Sequence, residues 1–280
     1  MDAAQFAIHA RAEDTYWWFR ARRYILHQVL AAIFTDQKAG RILDIGAGTG
    51  ANAASFAQSY PVSGIDVSQF AIQLARKRFP HVEFHCGQIT AFPELLQQAD
   101  VVTLLDVMEH VPDDVLLLSQ VLSMVRPGTH IVITVPAEVE LWSPHDEALG
   151  HYRRYSPERL RQAWENLPVT CMTLTPFNSR LYWPIRLMRL KNRLQGKSLG
   201  GQENDLVPLP SPVNRFLEWI FRWESKRIVR CLKSKGTPHR RGVRLLAVLK
   251  RNEGEIIPHH RSDSIPPDQF DPLKGKSQGL

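Results

Sequence analysis

RILDIGAGTGANAASF, residues 41–56, is the stretch that decides the fold, because a short apolar run leads into closely spaced glycines and then into a helical pattern. Gly46, Gly48 and Gly50 permit a tight turn with positive φ and let a ligand approach bare backbone at the start of a helix. The stretch therefore predicts a ligand site at the carboxyl end of a first β-strand.

Four more apolar runs follow, separated by helical patterns and short breaks. The five predicted strands are RILDI (41–45), VSGIDV (62–67), HVEFHC (81–86), DVVTLL (100–105) and THIVITVP (129–136). Strands that alternate with helices build βαβ units and a parallel sheet that is covered on both faces. The fold class is therefore α/β, with a doubly wound, mostly parallel sheet.

The alternation fails after Pro136. A polar and aromatic loop leads to a helix that opens at Ser156, and the predicted elements that follow are a strand (169–177), two basic helices (180–197 and 213–235) and a last strand (243–250). The two strands complete a seven-stranded sheet with a helical insertion before its last strand. The remaining residues are rich in Pro, His, Ser and charge, which predicts a flexible tail.

Composition excludes several classes of protein. The chain has 280 residues, of which 44% are hydrophobic and 22% are charged, an ordinary balance for a folded protein. We find neither an uncharged apolar run of spanning length nor an apolar N-terminal region, so we expect a cytoplasmic protein. Cys86, Cys171 and Cys231 form no CxxC pair, so we expect reduced thiols and no zinc site.

The net charge of +7 is concentrated in one segment. Residues 178–242 hold 15 Lys/Arg against four acidic residues, a net charge of +11 that leaves −4 for the rest of the chain. This distribution favours an anionic surface or substrate near that segment over a protein that coats nucleic acid generally.

The charge of Asp44 separates two classes of cofactor. The turn satisfies GxGxxA at Gly46, Gly48 and Ala51, and Asp66 lies 20 residues after Gly46, so a dinucleotide also fits the pattern. A carboxylate at Asp44 would repel a pyrophosphate but attract the ammonium and sulfonium groups of S-adenosylmethionine. The alternative for Asp44 is a structural carboxylate that caps amides of the turn.

Three motifs carry a family resemblance: DIGAGTG (44–50), DVVTLLDVMEHVPDD (100–114) and RPGTHIVITVP (126–136). In this order they resemble the class I S-adenosylmethionine-dependent methyltransferases over about residues 41–136. The resemblance implies that the cofactor is bound by Asp44, Gly46, Ala47, Gly48, Gly50, Asp66, Val67, Gln88, Ile89, Leu105 and Asp106.

The same resemblance implies which part of the cofactor each group contacts. The glycine turn would hold the methionine part and Asp66 the ribose, while Gln88 stands beside the adenine, where many members have Asp. Glu109 and His110 would lie at the mouth of the pocket.

Two flanking stretches are similar to a bacterial subgroup of this family. They are RAEDTYWWFRARRYIL (11–26), with a WWF-x-x-RR pattern, and LWSPHDEALGHYRRYS (141–156), with a GH-x-RRY pattern. This subgroup implies no particular acceptor. We divide the chain into an N-terminal helical and aromatic lid (1–40), an S-adenosylmethionine-binding domain (41–177), a basic helical insertion (178–242), the final strand (243–250) and the tail (251–280).

The loop after the fifth strand holds the candidate catalytic residues. Transfer of a methyl group from a sulfonium is an in-line displacement that requires no metal, and a base beside a hydroxyl acceptor assists it. His151 is the first candidate for this base and His145 the second, with Asp146 beside them. The alternative is a polar network with Arg153 and Arg154 that only fixes the loop.

An aromatic and cationic run precedes the first strand. It contains Trp17, Trp18 and Arg22 and predicts a lid over cofactor and acceptor, in which arginines meet an anionic group. We expect the acceptor side to be completed by His110, Tyr152, Arg153 and Arg154. The alternative for the run is a helix that docks its aromatic face on the core.

The insertion carries two amphipathic patterns. The first places apolar and basic side chains at helical spacing, namely Trp183, Leu187, Leu190 and Leu194 beside Arg186, Arg189, Arg193 and Lys197. The second holds Phe216, Trp219 and Trp223 among further Lys and Arg residues. Such helices either lie in an anionic membrane interface or pack together as a lid, and nucleic acid is a third possible partner.

The sequence therefore predicts an S-adenosylmethionine-dependent methyltransferase for a small-molecule or lipid-linked acceptor, with peripheral contact to the inner membrane face left open. One alternative is an RNA methyltransferase, which the basic segment favours and the lack of an RNA-binding motif disfavours. The other is a cofactor-binding protein without catalysis. The oligomeric state also stays open.

Overall fold

A computed structural model describes residues 3–34, 40–194 and 209–260. The strands are β1 (Ile42–Ile45), β2 (Val62–Asp66), β3 (Glu83–Cys86), β4 (Val101–Leu105), β5 (His130–Pro136), β6 (Val169–Phe177) and β7 (Arg244–Arg251). They form one sheet in the order β3-β2-β1-β4-β5-β7-β6. The predicted seven-stranded, doubly wound α/β fold is thereby confirmed.

Strand direction divides the sheet into two parts. Strands β1 to β5 pair in parallel, whereas β7 runs antiparallel to both of its neighbours, β5 and β6. On one side of β1 the sheet continues with β2 and then β3. On the other side it continues with β4, β5, β7 and β6. The order therefore reverses between β1 and β4, and the crevice at such a switch point is the usual ligand site of an open α/β sheet.

Helices cover both faces of the sheet. They are α1 (Ala3–Thr15), α2 (Trp17–Ile33), α3 (Ala51–Phe56), α4 (Gln69–Arg78), α5 (Pro93–Gln98), α6 (Asp114–Met124), α7 (Pro144–Ala148), α8 (Pro157–Arg161), α9 (Tyr182–Leu194), α10 (Ser211–Arg222) and α11 (Ser225–Leu232). Ser68, Asp113 and Ser156 begin α4, α6 and α8, because each side chain accepts the amide hydrogen of the residue three positions on.

The N-terminal segment and the insertion share one core. Ala21, Ile25 and Val29 of α2 are fully buried, and their cluster includes Phe221 of α10 and Ile228 of α11. The described parts of the N-terminal segment and of the insertion therefore contribute side chains to one cluster. Each segment buries its apolar face against the other and against the sheet.

The helix predicted over 213–235 is wrong as one element, since the structure breaks it into α10 and α11. Glu224 lies at the break and accepts hydrogen bonds from the backbone N–H groups of Ser179 and Arg180, at 2.8 and 3.0 Å. This buried contact anchors the break to the segment that follows β6. Burial raises the pKa of Glu224 to about 7.

Some predicted features lie outside the described residues. They are Lys197 and the side chains of Arg193 and Leu194 in the first amphipathic pattern, and positions 261–280 of the predicted tail. Within the described ranges, we find no helix with the length and apolar character needed to cross a bilayer.

Candidate functional site

The glycine turn after β1 has the predicted backbone. Gly46, Gly48 and Gly50 have φ values of 72°, 54° and 85°, a region that L side chains rarely adopt. A Cβ at Gly46 would collide with Val107, whereas a Cβ at Gly48 would find its nearest neighbour 4.0 Å away. The turn is thus packed on one side and leaves open space beside Gly48 for a ligand.

Asp66, rather than Asp44, caps this turn. The backbone N–H of Gly48 donates to Asp66 Oδ2 at 2.8 Å, and Ser68 N–H donates to Asp66 Oδ1 at the same distance. Each carboxylate oxygen keeps a lone pair for a further donor. Asp66 is therefore held in place at the end of β2 and retains capacity to accept a ribose hydroxyl.

The side chain of Asp44 is buried, and among the described residues only one of its two carboxylate oxygens has a hydrogen-bond partner. Its Oδ1 accepts a hydrogen bond from Thr103 Oγ1 at 2.5 Å, while Oδ2 has no hydrogen-bond partner among the described residues. Burial raises the pKa of Asp44 to about 7. An unpartnered buried carboxylate oxygen beside the turn fits a cationic ligand, which agrees with the charge argument from the sequence.

A cavity of about 360 Å³ lies at the switch point between β1 and β4. It joins the glycine turn to the loop 143–154 and is bounded above by α1, α2 and α9. The residues that line it include Glu13, Trp17, Trp18, Arg22, Gly46, Ala47, Gly48, Leu105, Asp106, Glu109, His110, His145, Asp146, His151, Arg154, Met188, Arg189 and Arg244. The predicted cofactor turn and the predicted catalytic loop thus face one space.

Asp106 is the centre of an ion-pair cluster in this cavity. Its carboxylate pairs with Arg22 at 2.9 Å and with Arg244 at 2.7 Å, and both guanidinium groups lie about 5 Å from the Trp18 ring centroid. Burial raises the pKa of Asp106, but the two guanidinium groups, the hydrogen bond from Thr134 and the nearby His151 together lower it more, so the net shift is downward. Its φ of 61° is strained for a residue other than glycine, and the bond that it accepts from Thr134 Oγ1 helps to hold it.

Arg22, which the lid hypothesis placed against an anionic group of the acceptor, lines the cavity and pairs with the protein's own Asp106. Its burial and its pairing with Asp106 turn it inward. Trp17 also belongs mainly to the core, because its ring packs edge-on against Phe221 with centroids 6.0 Å apart. The docked-helix alternative describes α2 better, and Trp18 is the aromatic side chain of this run whose ring both guanidinium groups contact.

Glu109 lies deep in the cavity and not at its mouth, where the resemblance had placed it. Its side chain is fully buried, and neither oxygen has a hydrogen-bond partner among the described residues. Arg244 Nη1 approaches Oε1 to 3.6 Å. Burial, together with the negative charge of Asp106, raises the pKa of Glu109 to about 8.

His151 is held by Asp146 in a buried network. The Nδ1 atom of His151 lies 3.0 Å from Asp146 Oδ1, and the same carboxylate accepts bonds from Arg154 and from the backbone N–H of Ser143. These partners outweigh burial and lower the pKa of Asp146 strongly, whereas burial lowers the pKa of His151. Asp146 thus engages the Nδ1 atom of His151, and the same residue lines the cavity.

Two more imidazoles stand near His151. The ring of His110 meets it edge-on with centroids 4.7 Å apart, and burial lowers the pKa of His110 to about 4. His145 lies on α7 and also lines the cavity. Ligand atoms of Glu109, His110 and His151 lie within 4.8 Å of one another, a grouping that a metal ion can use, although the sequence led us to expect none.

Tyr152 and Arg153 do not line the cavity, contrary to their predicted place on the acceptor side. The N–H of Tyr152 donates to the carbonyl of Glu109 at 2.7 Å, and Arg153 donates to the carbonyls of Val111 and Pro112. Both residues fasten the loop to the segment after β4. Arg154 lines the cavity but is engaged by Asp146, so the polar-network alternative describes the arginines of this loop.

The remaining predicted cofactor-binding residues, Val67, Gln88 and Ile89, follow the neighbouring strands. Val67 follows β2 and is exposed, Gln88 follows β3, and Ile89 is buried in the core with Leu43 and Ile65. Asp66 and Cys86 pair in register, which brings these segments to one edge of the sheet. The structure therefore places Gln88 on the same edge as Asp66 and gives Ile89 a packing role.

The structure adds residues that the sequence analysis missed. Glu13 of α1 accepts a hydrogen bond from Thr49 Oγ1 at 2.5 Å and pairs with Arg78 at 2.8 Å, which ties α1 to the glycine turn. Arg244 was not singled out, although it is a charged residue at the start of an apolar strand. Glu13 lies 36 residues from Thr49, and spacing alone does not indicate such a contact.

Comparisons with known proteins agree with this geometry. A family model described as a methyltransferase domain matches residues 16–168, more than half of the chain. The chain is 27% identical over 162 residues to a Mycolicibacterium smegmatis protein named probable S-adenosylmethionine-dependent methyltransferase, which covers 56% of this chain and 61% of that protein. It is 32% identical over 147 residues to the ubiquinone biosynthesis O-methyltransferase of Aeromonas salmonicida, with 48% and 62% covered.

The chain thus spans about three fifths of the length of these two curated relatives. Among solved structures, the plantazolicin methyltransferase BpumL, in complex with a monoazolic desmethylPZN analog and SAH, superimposes with a TM-score of 0.54. The match has 16% sequence identity and covers 88% of this chain and 90% of that chain. A likeness at this identity shows that the two chains share a fold.

Proposed function

The chain belongs to the methyltransferase domain family, with S-adenosylmethionine as its cofactor, and from this premise we propose that the protein transfers a methyl group to a hydroxyl of a small-molecule or lipid-linked acceptor. One observation carries the proposal: a single cavity joins the glycine turn to His151. The relatives named O-methyltransferases support oxygen as the methylated atom.

The cofactor half of the site has the charges and space that this cofactor needs. The unpartnered oxygen of Asp44 suits a cationic group, Asp66 can accept ribose hydroxyls, and the open side of Gly48 admits a ligand against the backbone. S-adenosylmethionine supplies an electrophilic methyl group carried on a sulfonium. The residues of the turn bind and orient it.

The acceptor half supplies a base. We assign this role to His151, whose Nε2 would take the proton from the acceptor hydroxyl. Asp146 positions the ring through Nδ1 and stabilises the imidazolium that forms. His145, which lines the same cavity, is the second candidate.

The walls of the cavity suit an amphipathic acceptor. Ile185, Met188 and Arg189 reach it from α9, whose other side exposes Trp183 and Leu187. An acceptor attached to a lipid is reached most directly by an enzyme that touches an anionic membrane surface, so peripheral membrane contact belongs to this proposal.

Titration calorimetry tests the cofactor assignment. We expect S-adenosylhomocysteine to bind and NAD to give no heat. Asp66→Ala should raise the dissociation constant at least about tenfold, because the ribose hydroxyls and the turn amide lose a charged acceptor. Unchanged affinity in Asp66→Ala would remove the ribose role, and binding of NAD alone would overturn the cofactor.

Transfer of labelled methyl groups tests the acceptor class. The full chain is incubated with labelled S-adenosylmethionine and with a bacterial lipid extract, a polar metabolite extract or total RNA. We expect label in the lipid or metabolite fraction. Label in RNA alone would replace this proposal by an RNA methyltransferase, and cofactor binding without transfer to any fraction would favour a cofactor-binding protein.

A further inference from the structure

The outer face of α10, together with the residue that follows this helix, carries three large aromatic side chains in one row. Phe216, Trp219 and Trp223 are 58%, 51% and 52% exposed. The rings of Phe216 and Trp219 stack with centroids 6.1 Å apart, and those of Trp219 and Trp223 are 4.7 Å apart. We call these three residues the aromatic row. A contiguous exposed apolar patch of this kind marks an interaction site more often than a bare surface.

A cavity of about 530 Å³ adjoins the aromatic row and is strongly basic. Arg20, Arg215, Arg222 and Lys226 line it together with one acidic residue, Glu218. Glu218 pairs with Arg20 at 3.1 Å and with Arg222 at 3.2 Å. Four positive charges against one negative charge leave a surplus of three, which suits an anionic ligand. We call this space the cationic cavity.

The aromatic row and the cationic cavity form one surface, because Trp219 and Trp223 line the cavity as well. The guanidinium of Arg222 lies 3.8 Å from the ring centroid of Tyr24, which fixes it at the cavity wall. The Arg180 guanidinium lies 5.2 Å from the Trp223 ring centroid and extends the basic border toward α9. Tryptophan beside basic side chains is the composition of an interfacial membrane contact.

We propose that the aromatic row inserts into an anionic phospholipid bilayer while the cationic cavity binds the phosphate of a lipid headgroup. The inference rests on the proposed function only in that the acceptor is lipid-linked. The same helices link this surface to the active cavity. Arg20 of α2 lines the cationic cavity and Trp18 of α2 lines the active one, so one helix contributes side chains to both spaces.

Sedimentation of the full chain with lipid vesicles tests the proposal without cofactor or acceptor. We compare vesicles of phosphatidylcholine with vesicles that contain roughly one third phosphatidylglycerol. We expect binding to the anionic vesicles only, with a part that persists at high salt because apolar insertion is not screened. Absence of binding to the anionic vesicles would overturn the membrane surface and the peripheral membrane contact, whereas the proposed methyl transfer and its cofactor are tested separately by calorimetry and labelling.

Two variants measure separately what the basic side chains and the aromatic rings contribute to vesicle binding. Arg215→Ser with Lys226→Ser should weaken binding about 25-fold, since each basic residue near an anionic leaflet contributes about fivefold. Phe216→Ser with Trp219→Ser and Trp223→Ser should abolish the part of binding that persists at high salt. The control for the charge variant is Lys77→Ser with Lys250→Ser, and the control for the aromatic variant is Phe70→Ser with Ile257→Ser. All four residues are exposed and lie outside this surface, so both controls should bind vesicles as the parent does.

Two further results would overturn the proposal. If both surface variants bind anionic vesicles as tightly as the parent, another surface is responsible. If sedimentation velocity shows a dimer that the aromatic variant dissociates, or if the parent prefers RNA to vesicles, the surface serves a second copy or a nucleic acid. Far-ultraviolet circular dichroism of each variant confirms that the fold is intact.

Discussion

At the scale of the residue, four carboxyl groups near one cavity have different pKa shifts because their partners differ. Asp106 and Asp146 have guanidinium partners, and the pKa of each is lowered. Among the described residues, Asp44 has one hydroxyl partner and Glu109 has no hydrogen-bond partner, and burial raises the pKa of these two to about 7 and about 8. The paired groups fix the loop and α2, while the unsatisfied ones are suited to interact with ligands.

Substitution of His151 tests the assigned base. We expect His151→Ala to lower kcat about a hundredfold or more, because general-base assistance is lost, while the affinity for S-adenosylhomocysteine stays unchanged. Since burial lowers the pKa of His151, the parent should retain activity to a lower pH than a free histidine would allow.

The control for this variant is His145→Ala, which should keep most of the activity. Methylation assays at pH values between about 5 and about 8 measure both kcat and its dependence on pH. Full activity in His151→Ala would leave the residue with a structural role in the loop. Loss of activity in His145→Ala alone would transfer the role to that residue.

Removal of divalent metal tests the grouping of Glu109, His110 and His151. We expect incubation with a chelator to leave the rate within about twofold, because the Arg244 guanidinium lies 3.6 Å from Glu109 and opposes a cation there. Inactivation by the chelator that added Zn²⁺ or Mg²⁺ reverses would show that these three residues bind a catalytic metal.

At the scale of the element, α1 closes the cofactor side of the cavity. Glu13 connects this helix to Thr49 in the glycine turn and to Arg78 at the end of α4. Arg78 also donates to the carbonyls of Thr49 and Ala10. One guanidinium and one carboxylate therefore hold three elements together over the ligand site.

Loosening of α1 should weaken cofactor binding. Glu13→Gln removes a charge-assisted contact, and we expect the dissociation constant of S-adenosylhomocysteine to rise about fivefold. Hydrogen exchange of residues 3–15 should become faster in this variant. Asp14→Asn is the matched control, because Asp14 also pairs with Arg78 but its side chain is 64% exposed and its ion pair contributes little. Equal effects of the two substitutions would contradict a closing role for Glu13.

At the scale of the whole molecule, buried titratable groups set the dependence of stability on pH. Asp44, Glu109 and Glu224 have pKa values raised to about 7, 8 and 7. Each folded-state carboxyl holds a proton that the unfolded chain has released above its ordinary pKa. Their contribution to stability is therefore lost as the pH rises through the folded-state values. Buried histidines such as His110 and His239, with pKa values lowered to about 4, act in the opposite direction below about pH 6.5.

Above that pH the raised pKa values of these three carboxyl groups dominate the dependence. We expect the free energy of unfolding without ligand to fall by about 1–3 kcal/mol between about pH 6.5 and pH 8, measured by urea denaturation. Asp44→Asn, which keeps an oxygen for Thr103, should flatten this slope. A stability that stays constant or rises over this interval would contradict the raised pKa values.

Local patterns in the sequence determined the sheet and the turn. Apolar runs between helical patterns predicted all seven strands, and closely spaced glycines predicted the positive φ values at Gly46, Gly48 and Gly50. Such features depend on neighbours along the chain, so they can be recognised without a partner. The cavity position follows as well, because the carboxyl ends of parallel strands meet at one edge.

The tertiary structure alone decided how the charged side chains pair. Arg22 and Arg244 are more than 200 residues apart in the chain, and both bind Asp106. Glu109 was expected at the pocket mouth and is fully buried, and the helix expected over 213–235 is broken at Glu224. Sequence spacing shows which residues are charged but not which distant partner each one meets, and that partner determines whether a guanidinium binds a ligand or holds the fold.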